Sequence, residues 1–129
     1  MDSLFIVDDN IELLCLYKTL LSIHSKYDIA GTAGSGRDAI RKYKKMKKKP
    51  DLVLMDVNMP DVDGISVAKQ IHMYDNGAKI MFVTAEQIYS EDLPPELSDA
   101  PILRKPFSKD EFISAIGKAL NGKYGRALV

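Results

Sequence analysis

The chain has a single cysteine, Cys15, among 129 residues. No internal disulfide and no cysteine-rich metal site can form, which suits a reducing compartment. Net charge is also missing: eighteen Lys and Arg cancel eighteen Asp and Glu, which removes any global attraction to nucleic acid or an anionic membrane. No apolar run approaches the length of a membrane span, and the N-terminus reaches acidic residues too early for a secretion signal. Repeats and low-complexity linkers are absent, so nothing marks a second domain. Histidine is scarce: His24 and His72 stand apart without partners, and each reads as a surface or helix-end residue rather than a ligand. Cys15 falls in mid-helix and reads as a small buried residue rather than a nucleophile. The expectation is a cytoplasmic protein of one domain, long enough to bury a real core.

What the chain does have is a regular alternation. Short apolar runs at residues 4–7, 27–33, 52–55, 80–83 and 102–103 have the character of strands buried on both faces. Between them lie helical stretches at 11–25, 36–47, 65–74 and 109–120. The first places Leu13, Leu16, Leu20 and Ile23 on one broad face, as an amphipathic helix packed on a core should. The last opens with Ser108-Lys109-Asp110-Glu111, a capping box in which side chains take up free backbone donors. Its Phe112, Ile113, Ile116 and Leu120 then form a core-facing stripe. Residues 86–101 should hold one more helix, but Pro94, Pro95 and Pro101 interrupt it. Proline lacks an amide donor and costs roughly 3 kcal/mol inside a helix, so one or two short helical turns and then irregular chain are expected. Strands alternating with helices predict an α/β domain, a doubly wound five-stranded parallel sheet with helices on both faces. It is expected to fill residues 1–121, with 122–129 as a short C-terminal tail.

In a doubly wound sheet, the loops at the carboxyl ends of the strands form the functional edge. The first run, Leu4-Phe5-Ile6-Val7, drives straight into Asp8 and Asp9. The third ends at Asp56, the fourth at Thr84, and the fifth is followed by Lys105-Pro106. Carboxylates converging from separate strands repel one another unless a cation relieves them. Oxygen ligands without histidine or thiolate suit Mg²⁺, which keeps several waters and often also holds a phosphate. Lys105 would supply a second cation. Taken singly, each residue has a plainer explanation. Asp9 or Asn10 would serve as a helix cap, Asp56 as a solvated turn residue, Thr84 as a strand-end hydroxyl and Lys105 as a surface lysine. Their joint placement on one edge is what favours a site.

Val7-Asp8-Asp9-Asn10, the segment LVLMDVNMPDVDG ending at Gly64, Val83-Thr84-Ala85 and Leu103-Arg104-Lys105-Pro106-Phe107 occur in this order. With Gly36-Arg37-Asp38-Ala39-Ile40 on the second helix, their spacing resembles that of a response-regulator receiver domain, from residue 4 to about residue 120. The resemblance implies a flavodoxin-like (βα)5 sheet of order 2-1-3-4-5. It also implies a single-domain response regulator of two-component signalling: a phosphorylation-controlled protein-interaction switch rather than a turnover enzyme, catalysing only its own phosphotransfer and dephosphorylation. Asp56 would be the phosphoacceptor, attacking phosphohistidine on a sensor histidine kinase or histidine phosphotransfer protein. Asp9 would bind Mg²⁺ directly and Asp8 chiefly through water, with Asp56 and the backbone carbonyl of Asn58 completing the protein ligands. Lys105 would pair with the phosphate, and Thr84 would swing its hydroxyl towards it. Gly64 would supply a backbone conformation that other residues resist, and Lys105-Pro106 a cis peptide. Asn58 and Glu86 would flank the path of the hydrolytic water. The implied partners are the phosphodonor protein and a downstream target the sequence does not name. No nucleic acid and no membrane are implied, and the chain would be a monomer or, on phosphorylation, a weak dimer.

Two features depart from the family pattern. Ile102 stands three residues before Lys105, where many receivers carry an aromatic that moves inward on phosphorylation. The proline-broken residues 86–101 fall where the family has its fourth helix, beside the usual output face. Movement of Thr84 is therefore expected to be read out through this segment.

Rival readings explain less. Gly34-Ser35-Gly36-Arg37-Asp38-Ala39 matches a dinucleotide fingerprint, with Asp56 near the spacing of a ribose-binding acid. Asp38, however, brings negative charge to the helix start where pyrophosphate should bind. A calcium loop around the acids Asp61 and Asp63 would need an acid or amide at Met59 and a glutamate at Gln70. A haloacid-dehalogenase-type phosphatase normally needs a second acid two residues after its nucleophile, where Asn58 stands. The basic run 41–49 is punctuated by Tyr43 and Met46 and reads as a solvated helix face. A non-phosphorylated receiver-fold scaffold that binds partner proteins is the alternative of a different class. It should have lost an acid, the acceptor or the lysine, and this chain keeps Asp8, Asp9, Asp56, Thr84 and Lys105.

Overall fold

Five parallel strands, β1 (Asp2–Val7), β2 (Tyr27–Ala33), β3 (Leu52–Asp56), β4 (Ile80–Thr84) and β5 (Ile102–Arg104), form one sheet in the order β2-β1-β3-β4-β5. Helices α1 (Ile11–Ile23), α2 (Gly36–Lys45), α3 (Gly64–Tyr74) and α4 (Lys109–Asn121) complete the doubly wound arrangement. The structure, a computed structural model, describes residues 1–23 and 26–122. The expected roles of His24 and of the tail beyond Gly122 lie outside the described residues. Among the described residues, no helix is long and apolar enough to cross a membrane.

The apolar runs of β1, β3 and β4 follow from burial on both faces. The edge strands β2 and β5, expected to be buried as well, are covered less, with Ala33 their one buried position. β3 and β4 are buried at every position, and successive side chains point to opposite sides. Phe5, Val7, Val53, Met55, Ile80 and Phe82 join the core beneath α2 and α3. Leu4, Ile6, Leu52, Leu54, Met81 and Val83 join the second core, beneath α1 and α4. The register pairs Val7 with Met55, Asp56 with Val83 and Thr84 with Arg104. The strand ends therefore open at one edge, and the order reverses between β1 and β3, where such sheets form their crevice.

The prolines act as expected. Residues 86–101 hold two short 3-10 turns, Ser90–Asp92 and Pro95–Leu97, in place of a full helix. Leu93, Leu97 and Ala100 nevertheless sink into the core beside α3. The capping box is also formed: Glu111 N–H donates to Ser108 Oγ at 3.0 Å, and Ser108 N–H to Glu111 Oε1 at 2.8 Å.

Three further expectations need correction. The buried stripe of α1 is Leu14, Tyr17 and Leu21, whereas Leu16 is 49% and Ile23 67% exposed. Leu13 and Leu20 are only half-buried beside this stripe. Cys15 is exposed rather than buried, because the same rotation turns it outward. The basic run is not simply solvated. Lys42 Nζ donates to the Thr32 carbonyl at 2.6 Å. Lys49 Nζ donates to the carbonyls of Tyr43 and Met46 at 2.6 and 2.8 Å, adding a charged donor where α2 ends. The Lys49 ammonium also lies over the Tyr43 and Tyr74 rings, at 5.0 and 5.3 Å from their centroids.

Candidate functional site

Each side chain at the carboxyl edge is held by its own strand end. Asp8 follows β1 and extends the β1–β2 ladder by one bond, its N–H donating to the Ala33 carbonyl at 3.0 Å. Asp8 Oδ1 accepts the Asn10 N–H at 2.9 Å. Asn10 in turn caps α1, its Oδ1 accepting the Leu13 N–H at 3.2 Å. The capping role thus falls to Asn10, and the exposed Asp9 carboxylate is left facing the pocket. Oxygens of Asp8, Asp9 and Asp56 lie within 4.8 Å of one another. Lys105 Nζ donates to Asp8 Oδ2 at 2.9 Å and stands 3.6 Å from Asp56 Oδ1.

Lys105 is placed by backbone pairing, its N–H donating to the Thr84 carbonyl at 2.8 Å, and Lys105-Pro106 is a cis peptide. Thr84 is fully buried, and its Oγ1 accepts the Glu86 N–H at 3.0 Å. Asn58 is exposed on the loop after β3, and Glu86 is exposed after β4. The structure therefore gathers Asp8, Asp9, Asp56 and Lys105 directly and sets Thr84 and Asn58 on the flanking strand end and loop.

The electrostatics record a strained cluster. Burial pushes the Asp56 carboxyl up from its usual 3.8 to about 6, and the neighbouring charge of Asp8 adds to the rise. Lys105 opposes this and Asp9 reinforces it. A carboxylate in such a place gains from any added positive charge.

Gly64 matters for a reason other than the one expected. A Cβ there would lie 1.9 Å from the Asp56 carbonyl oxygen and 2.9 Å from Val57 Cα, and the Gly64 N–H donates to the Val57 carbonyl at 2.7 Å. Close approach of two backbones, rather than a left-handed conformation, requires glycine here.

Sequence reasoning missed three roles. Asp61 accepts the N–H groups of Gly36 and Arg37, both at 3.0 Å, and these bonds hold its carboxyl down at about 2. It thereby occupies the α2 N-terminus that the dinucleotide reading needed for pyrophosphate. Asp63 caps α3 by accepting the Ser66 N–H at 3.0 Å, so both acids of the supposed calcium loop have structural work. The third is Tyr17, buried on α1 with a hydroxyl that finds no partner. Its spacing from Leu14 and Leu21 was the available signal, masked by the other leucines of α1.

The chain matches the family model described as response regulator receiver domain over residues 4–117. It is 34% identical over 116 residues to the chemotaxis protein CheY of Thermotoga maritima, covering 88% of this chain and 92% of that one. Identity to the chemotaxis protein CheY of Bacillus subtilis is also 34%, over 119 residues, covering 92% and 97%. Among solved structures, it is similar to the response regulator protein TrrA of Thermotoga maritima in complex with Mg²⁺-BeF. That similarity has a TM-score of 0.79 and 31% identity over 92% of this chain and 99% of that one. With its fold, the geometry of its acidic edge and a family match over most of its length in agreement, this chain belongs to the response regulator receiver domain family.

Proposed function

We propose that the protein is a phosphorylation-controlled switch in which Asp56 accepts a phosphoryl group from phosphohistidine on a sensor histidine kinase or histidine phosphotransfer protein. The observation that carries this reading is the convergence of three carboxylates within 4.8 Å beside one ammonium. The receiver unit is taken as residues 1–121.

The donor set fits Mg²⁺: hard carboxylate oxygens, no thiolate or imidazole, and a local excess of negative charge. Asp9 would hold it directly and Asp8 chiefly through water, together with Asp56 and the Asn58 carbonyl. When bound, the cation neutralises charge on the transferring phosphoryl group. The Mg²⁺-BeF complex of the similar TrrA protein supports loading this pocket with such a pair.

In the transfer, an Asp56 carboxylate oxygen attacks phosphorus as the P–N bond to the donor histidine breaks. An acyl phosphate forms on Asp56, and the imidazole leaves with the electron pair of the broken bond. Lys105 exchanges its Asp8 partner for a phosphoryl oxygen. Thr84 turns its hydroxyl towards the same group, which requires giving up the bond from the Glu86 N–H. Glu86 opens residues 86–101, so this exchange connects the phosphoryl group to the segment expected to carry the readout to a downstream protein. Asn58 and Glu86 flank the approach of the water that later hydrolyses the acyl phosphate.

The test is intact-mass measurement after incubation with a small-molecule phosphodonor, with and without Mg²⁺, on wild type and Asp56→Ala. One phosphoryl addition that requires Mg²⁺ and vanishes in the variant is expected. A folded, Mg²⁺-binding wild type that gains no phosphoryl group would favour the scaffold reading instead.

A further inference from the structure

Among the described residues, the Tyr17 hydroxyl is the buried side-chain polar atom left without a hydrogen-bond partner. Tyr17 is only 2% exposed. Buried tyrosine hydroxyls usually find partners, and an unpaired one costs free energy, so its presence needs a reason. Packing does not supply one. The Tyr17 ring stacks on Phe112 at 5.1 Å and on Phe107 at 6.2 Å, and those two rings stack on each other at 5.3 Å. A phenylalanine ring would make the same stack without stranding an oxygen.

The surroundings of the hydroxyl point to the acidic edge. Tyr17, Leu13 and Leu16 on α1 face Lys105, Pro106 and Phe107 across a cavity of about 240 Å³. After burial itself, the charges of Asp8 and Asp56 are what hold the Tyr17 phenol above its ordinary range. An ammonium carries three donors. Lys105 gives one to Asp8, with Asp56 just beyond bonding distance.

We propose that Tyr17 is a positioning residue for Lys105 in the phosphorylated site: its hydroxyl accepts a hydrogen bond from the ammonium once Lys105 has left Asp8 for a phosphoryl oxygen. This rests on the function proposed above. Tyr17 touches no reacting atom and acts through Lys105. The hydroxyl is orphaned in the resting state and satisfied in the loaded one, so the bond favours the loaded state alone and shifts the equilibrium towards it. The three-ring stack contributes the rigidity, since Phe107 follows Lys105-Pro106 directly and clamps that loop to α1.

The experiment uses beryllofluoride with Mg²⁺ as the probe and reads both affinity and unliganded melting temperature. Four proteins are compared: wild type, Tyr17→Phe, Lys105→Met and the double variant. Tyr17→Phe keeps the ring stack, so it should melt at or above the wild-type temperature without ligand. Its affinity for the probe should fall on the order of tenfold, the scale of one hydrogen bond to a charged group. In the Lys105→Met background the same substitution should cost nothing. Unchanged affinity in Tyr17→Phe, or an equal loss in both backgrounds, would overturn the role of Tyr17 alone. Failure of the wild type to bind the probe would overturn this role and the proposed function together.

Discussion

Gly64 and Asp56 are packed backbone to backbone. A Cβ on Gly64 would stand 1.9 Å from the Asp56 carbonyl oxygen, far inside any real contact. Because the opposing atom is main chain, no side-chain rotation can relieve the clash, and the strand end carrying the acid must shift. Gly64→Ala is therefore expected to destabilise the protein by about 3 kcal/mol, the upper part of the usual overpacking range. Urea unfolding measures this, and Mg²⁺ titration of the folded variant should show weakened binding. A variant as stable as wild type with normal Mg²⁺ affinity would contradict the close approach.

The raised Asp56 carboxyl makes the stability of the metal-free protein depend on pH. With a folded value of about 6 against the usual 3.8, the folded chain holds this proton more tightly than the unfolded chain. Its contribution to stability is greatest below pH 4 and declines as pH rises towards about 6. Near neutrality the loss amounts to about 3 kcal/mol at most. Asp56→Asn should recover up to that amount near neutral pH in the presence of a chelator, and almost none near pH 4. Denaturant curves of both proteins at the two pH values decide it, since an equal difference at both would rule out Asp56 as the source.

On the proposed function, Lys105 would compete with a divalent cation for Asp8 and Asp56 while serving the phosphoryl group. Lys105→Met should consequently have opposite effects on the two. Removing a positive charge 3.6 Å from Asp56 should tighten Mg²⁺ binding by roughly tenfold or more. Phosphoryl uptake at saturating Mg²⁺ should slow. Calorimetric Mg²⁺ titration and single-turnover phosphorylation read the two separately, and a fall in both would show that Lys105 only holds the acids in place.

The Thr84–Glu86 bond ties residues 86–101 to the site. If Thr84 turns inward on loading, the Glu86 N–H loses its acceptor, and amide exchange at Glu86 and in the following turns should accelerate with beryllofluoride and Mg²⁺. Thr84→Ala should abolish the difference, because the Glu86 N–H then has no hydroxyl to lose. Equal exchange of the segment with and without the probe would remove it from the readout.

Much of this protein is written locally in its sequence. Apolar runs without alternation specify the central strands β1, β3 and β4, buried on both faces because helices cover both sides of a parallel sheet. Pro94, Pro95 and Pro101 deny a full helix to residues 86–101, because each removes a donor. Polar residues at the ends of those runs announce a site, because strand ends share one edge. Other features depend on partners distant in the chain. The face that α1 buries was ambiguous, since its leucines fit more than one stripe, and packing beneath the sheet and α4 selected Leu14, Tyr17 and Leu21. Asp61 acquired its place from an α2 N-terminus 25 residues away. Lys105 reaches Asp8 across 97 residues, and the ionisation of Asp56 is set by burial and by the charges of Asp8 and Lys105. Residue type and period are properties of the chain, whereas distance and desolvation exist only once the chain has folded.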